Sequence, residues 1–165
     1  HHAATGLLKS GRRRILYLYT SYSFSGVNKM EGYKDAHRDL GLPLNESLIC
    51  QCAKDISVAR DTLLGLHKQG LEFDAVITSD DSLAVGAVKY AHEAGISIPD
   101  QLSVIGYNNS LLSRCTDPEI TSIDSKVEAL CTTTINTLMG VFSGMNVPSR
   151  TTIASDLIKR QTTNF

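Results

Sequence analysis

AVITSDDSLAVGAVKYAHEA, residues 75–94, joins an apolar run to a helical pattern through a pair of acids. Its first part, AVITS at 75–79, is a short β-branched run of the kind that forms a strand buried on both faces, and 82–94 reads as a helix. Two carboxylates, Asp80 and Asp81, stand at the junction. Asp is favoured where a helix begins, because its oxygen accepts from free backbone N–H groups and meets the positive end of the helix dipole.

Outward from this unit the same cycle recurs in both directions. Upstream lie ILYLY at 15–19 as a strand, an amphipathic helix carrying Val27, Met30, Tyr33, Ala36, His37 and Leu40 at three- and four-residue spacing, SLICQ at 47–51 as a strand and 56–69 as a helix. The polar stretch TSYSFSG at 20–26 is expected to be a loop, and His1 to Ser10 reads as a helix closed at Gly11. Downstream LSVIGY at 102–107 is the next strand and TSI at 121–123 a short one. Alternation of this kind implies an α/β fold, a parallel sheet with helices on both faces, in which ligands bind beyond the carboxyl ends of the strands. The rhythm then fails. Residues 126–142 read as a helix with Val127, Leu130, Thr134, Leu138 and Val141 on one side, in need of a surface to bury them, and 151–159 as one or two strands.

Composition narrows the function. Sixteen basic and seventeen acidic residues nearly cancel, so no broad positive field draws the chain to nucleic acid or an anionic membrane. Apolar residues at 42% and charged residues at 20% suit a folded globular domain, and no apolar run is long enough to span a bilayer. Four cysteines, at 50, 52, 115 and 131, are expected as reduced thiols, and with no second Cys pair at ligand spacing neither a metal nor another cofactor is expected. Asp80 and Asp81 are adjacent, and neighbouring side chains at a helix start point apart, so they do not make the facing pair that acid–base catalysis needs. His37-Arg38-Asp39-Leu40 has the first residues of a kinase catalytic loop but no Asn follows at the required place, and His67 and His92 have no partner in register. An enzyme is not expected.

DDSLAVG at 80–86, AGISIPDQLSVIGYN at 94–108, PEITSI at 118–123 and LIKRQTT at 157–163, together with LLKSGRRRI at 7–15 and EGYKDAHRDLGL at 31–42, occur in the order found in the effector domain of the lactose/galactose repressor (LacI/GalR) family, which the chain resembles over nearly its whole length. The resemblance implies a periplasmic-binding-protein-like lobe plus a truncated remnant of a second lobe. Residues 1–123 would form the carboxy-terminal lobe, 124–148 would cross into the amino-terminal lobe, and 149–165 would return. It implies a cytoplasmic regulator that senses a sugar or sugar derivative and controls DNA through a helix-turn-helix domain outside this sequence. An extracytoplasmic sugar-binding protein of a transporter shares the two-lobed fold; the LIKRQTT ending favours regulation.

The resemblance also singles out residues. Asp80 stands where the family has a ligand-contacting Asn, Asn108 where it has an Asp, and Lys29 where it has an Arg. One carboxylate and one amide are thus kept with positions exchanged, an inventory suited to a polyhydroxylated ring, whereas Lys offers a single mobile charge in place of the Arg fork. Asp81 is read as a helix-start structural residue and Asp80 as the binder. Asn108 and Asn109 also suit a turn in their own right, because Asn tolerates left-handed geometry. Tyr22 and Phe24 either stack on a sugar face or pack their loop onto the core. For homodimerisation the resemblance points to Val85, Val88, Leu111, Leu112 and Cys115; the two valines would alternatively cover the lobe's own core.

Overall fold

A computed structural model describes residues 1–20 and 24–165 and, for Phe24, the backbone alone. The strands are β1 (Ile15–Tyr19), β2 (Ile49–Gln51), β3 (Ala75–Thr78), β4 (Ser103–Tyr107), β5 (Thr121–Asp124) and β6 (Asp156–Ile158). They form one sheet in the order β2-β1-β3-β4-β5-β6, parallel throughout except for β6, which runs antiparallel to β5 at the edge. The helices are α1 (His2–Lys9), α2 (Phe24–Asp39), α3 (Ile56–Lys68), α4 (Asp81–Ala94) and α5 (Val127–Phe142). The architecture is the mixed α/β lobe that the strand–helix rhythm predicts.

Period-two geometry divides the central strands between two cores. Ile15, Tyr17, Tyr19, Ala75, Ile77 and Ile105 face α1 and α2, where they meet Leu7, Leu8, Met30, Tyr33 and Ala36. Leu16, Leu18, Val76 and Val104 face the other way, onto Ala59 and Leu63 of α3 and Leu83, Ala84 and Ala87 of α4. With both faces covered, the strands read as continuous apolar runs rather than alternating ones. Each fully buried Leu or Ile contributes on the order of 1.5–3 kcal/mol of transfer free energy. Tyr33 adds a directional tie from α2 to β1, its hydroxyl donating to the Ile15 carbonyl at 2.8 Å. Gly86 sets the closeness of α3 and α4, since a Cβ there would stand 2.6 Å from the Ala59 Cβ.

Several expectations are corrected. The helix expected from Val27 begins at Phe24, so the loop expected over 20–26 is shorter and Phe24 opens a helix; Tyr22 lies outside the described residues. SLICQ is only half strand, because Asn45 accepts from the Ser47 N–H at 3.1 Å and turns Glu46–Leu48 into a single 3-10 turn. Of 151–159 only Asp156–Ile158 pairs. Val85 and Val88, expected at a contact between chains, are 7% and 8% exposed and belong to the α3–α4 core; that packing leaves a partner almost none of their surface. Leu111, by contrast, is 76% exposed at the start of a 3-10 turn (Leu111–Arg114) that follows β4, and Cys115, just after that turn, is also exposed.

Candidate functional site

The site lies at the carboxyl edge of the sheet. Backbone geometry at the β3–α4 junction puts Asp80 in an extended conformation as the N-cap of α4, its Oδ1 accepting from the Ser82 N–H at 2.9 Å and the Ser82 hydroxyl at 2.6 Å. Its other oxygen, Oδ2, accepts from Asn108 Nδ2 at 3.0 Å and pairs with Lys54 Nζ at 2.7 Å. Burial pushes the Asp80 pKa up, but the bonds from Lys54 and Ser82 outweigh it and the net shift is downward, so Asp80 is held as a carboxylate.

Asp81, one residue on, is used differently. It is almost completely buried and faces the turn after β4, where Oδ2 accepts from the Ser110 N–H at 2.7 Å and hydroxyl at 2.8 Å, and Oδ1 from the Ser122 hydroxyl at 2.6 Å. A side chain at Gly106 would collide with this carboxylate. The structural role expected of Asp81 is therefore present but is not capping: Asp80 caps the helix and Asp81 fastens α4 to β5 and the β4 loop.

That loop contains two left-handed residues in succession, Asn108 at φ 102° and Asn109 at φ 50°. Both asparagines thus meet the turn requirement, and Asn108 also reaches Asp80. Arg160, from the LIKRQTT stretch, holds Asn109: its guanidinium donates to Asn109 Oδ1 at 2.5 Å and to the Ile120 carbonyl at 2.7 Å.

Lys29 completes the cluster from α2. Its Nζ donates to the Ser79 carbonyl at 3.3 Å and sits 3.5 Å from the centre of the Tyr107 ring. Desolvation lowers its pKa, partly opposed by Asp80. Beside Lys29 opens a cavity of about 980 Å³ bounded by the start of α1, by α2, by the ends of β3 and β4, and by 155–159; Lys29, Tyr107, Tyr17 and Asn28 line it. Asp80 and Asn108 are not part of its lining. The structure thus brings together three of the five expected binding residues, Lys29, Asp80 and Asn108. Tyr22 lies outside the described residues, as does the side chain of Phe24.

Sequence reasoning missed Lys54, Tyr107 and Ser82. Lys54 was detectable in principle, because it follows β2 directly and so belongs to the carboxyl edge where such folds bind ligands. Among the described residues no three His, Cys, Asp or Glu side chains converge as metal ligands, and the four cysteines are unpaired thiols. Burial pushes the Cys52 thiol up to about 11, which makes it a poor nucleophile. No described helix is long and apolar enough to cross a membrane.

A doubly covered, mostly parallel sheet with a polar cluster and cavity at its carboxyl edge defines one lobe of a cleft-type ligand-binding domain. Residues 4–163 match the periplasmic binding protein-like domain family. The chain belongs to that family, as an effector-binding domain of the LacI type. A curated HTH-type transcriptional regulator of Lachnoclostridium phytofermentans is 50% identical over the whole chain, and the HTH-type transcriptional regulator AscG of Escherichia coli is 30% identical over 96% of it. The chain spans 50% and 48% of these two relatives, about half of each. The crystal structure of a LacI-family sugar-binding transcriptional regulator from Escherichia coli, complexed with phosphate, is similar at a TM-score of 0.90 and 29% identity, covering 98% of this chain and 59% of that one.

Proposed function

We propose that this chain supplies the carboxy-terminal half of a sugar-sensing cleft in a cytoplasmic LacI-type transcriptional regulator. The observation that carries the proposal is the meeting of Lys29, Asp80 and Asn108 at the sheet edge beside the cavity. Asp80 accepts and Asn108 both donates and accepts, so ring hydroxyls that replace Lys54 or Asn108 at Asp80 find matched partners. Residues 1–123 form this lobe, 124–148 cross to the amino-terminal lobe and 149–165 return; the exposed apolar side chains of α5 support that division. Sugar would bridge the lobes and favour their closed state, and DNA-binding heads on the amino side respond only so far as the ligand's affinity differs between the two states. The half-length match to HTH-type regulators favours this reading over a transporter's sugar-binding protein. The cluster holds and orients a ligand; none of its groups is set up as an activated nucleophile.

The test is calorimetry on the 165-residue protein and on a longer form that carries the preceding lobe, titrated with the same panel of hexoses and disaccharides. Binding should be far tighter in the longer form, because enclosure of the ligand carries much of the affinity in concave sites. Equal affinities would contradict the half-cleft.

Homodimerisation through Leu111, Leu112 and Cys115 is part of the same proposal, supported by an apolar pair that stays exposed at the 3-10 turn after β4. Sedimentation should give a mass near twice 17.9 kDa, and Leu111→Asp should return it to that of one chain without lowering the melting temperature. A single-chain mass before substitution would remove this interface.

A further inference from the structure

Around the cavity, positive and negative charges do not balance locally. Asp80 pairs with Lys54 at 2.7 Å, Asp156 shares Lys126 with Asp124 at 2.7 and 3.3 Å, and the Asp39 carboxylate lies 2.9 Å from the His1 ring. Lys29 has only a carbonyl and an aromatic face; among the described residues no carboxylate lies within ion-pair distance of its Nζ. Lys159, exposed in the 155–159 segment that bounds the cavity, likewise meets only a ring among the described residues, that of Phe165, at 5.4 Å. Half-buried ammonium groups are costly to leave without a counter-charge. A second, independent feature points the same way. Tyr17 lines this cavity and is almost fully buried, yet its hydroxyl has no hydrogen-bond partner among the described residues. Burial raises its pKa, so the hydroxyl remains a donor without an acceptor. Surplus cation and orphan donor both call for the same thing, an anionic group with several acceptor oxygens.

We infer that the effector is an acidic sugar, a sugar phosphate or a uronic acid, whose anionic group is received in the cavity by Lys29 and Tyr17. This rests on the sugar-cleft reading above and narrows it to a charge class. Lys54 is well exposed and can swing away from the buried Asp80, whereas Lys29 is half-buried and held against Tyr107 beside the cavity.

The experiment compares matched trios, each a neutral hexose, its 6-phosphate and its uronate, together with inorganic phosphate alone, by NMR titration of the protein and of its Lys29→Gln and Lys29→Arg variants. One acidic member should bind about tenfold or more tightly than its neutral parent. Lys29→Gln should reduce that preference to parity, and Lys29→Arg should keep it; since Arg retains the cation, its rescue separates lost charge from a misfolded variant. Which acidic member wins distinguishes phosphate from carboxylate. A neutral parent that binds as tightly as its acidic derivatives overturns the inference and leaves the sugar cleft standing. Inorganic phosphate matching the sugar phosphate overturns it too, by removing any role for the sugar, as does an acidic preference that survives Lys29→Gln. If no sugar in any trio binds, the cleft reading falls with it.

Discussion

Helices α4 and α5 are similar in length and both carry apolar residues at helical spacing, yet nine residues of α4 are buried and in α5 only Gly140 is. The difference is one of partners. Helix α4 is gripped on three sides: α3 approaches at Gly86, the sheet packs against Leu83 and Ala84, and Asp81 ties its start to the turn after β4. It is also capped at both ends, by Asp80 and by a left-handed Gly95. Helix α5 starts from a left-handed Lys126 with no side-chain cap, and two of its threonines bond back to the preceding turn, Thr134 to the Leu130 carbonyl and Thr137 to that of Thr133, at 2.7 and 2.8 Å. Such back-bonding adds little to a helix. The lesson is that a strong apolar pattern specifies a helix but not what covers it; α4 is packed into the core, while the apolar side chains of α5 stay exposed.

Substitutions on the two helices sharpen that contrast. Leu83→Ala should cost about 2–5 kcal/mol, the range for emptying a fully buried leucine site, whereas Leu138→Ala on α5 should stay within about 0.5 kcal/mol, read by urea denaturation of the same protein. Similar losses at the two positions would mean that α5 is packed as α4 is. The two carboxylates at the head of α4 divide the next effect. Asp81→Ala should cost about 2–3 kcal/mol, because it strands the Ser110 and Ser122 donors, while Asp80→Ala should cost about 1 kcal/mol, the usual loss of a cap, and abolish sugar response. Thermal melting beside a ligand titration separates them; an Asp80→Ala protein that melts as early as Asp81→Ala would make Asp80 a fold residue alone. The smallest effect is in acid. The folded pKa of Asp80 lies below its ordinary 3.8, so its contribution to stability is fully present above that value and is lost as pH falls through the lower folded one. Asp80→Asn should flatten that acid limb of the stability profile, and an unchanged limb would show that other carboxylates set it.

The sheet was open to sequence reasoning because its strands are buried on both faces, which turns them into unmistakable apolar runs such as ILYLY, with helices between them at regular spacing. Edges were harder. SLICQ and 151–159 lie at the two sides of the sheet, where one neighbour is missing and a local turn at Asn45 competes successfully with pairing. At the site, Lys29, Asp80 and Asn108 stand out in the sequence because they fall at fixed places in stretches that resemble one family, and the fold brings them to one edge of the sheet. Lys54 does not stand out, because a lone Lys after a short edge strand looks like any solvated lysine until the fold brings it to Asp80. Val85 and Val88 show the reverse error: a shared helix face was evident, but periodicity does not say whether that face meets the chain's own α3 or a second molecule.

Whether the carboxyl edge of this sheet is half of a sugar site can be read by amide NMR on the isotope-labelled protein titrated with the neutral and acidic sugars, which registers weak binding and locates it. Saturable shifts should be confined to the amides of Asn28–Met30, Ser79–Leu83 and Tyr107–Asn109, with α5 silent. Shifts centred on α5, or no saturable shift with any sugar, would contradict the half-site.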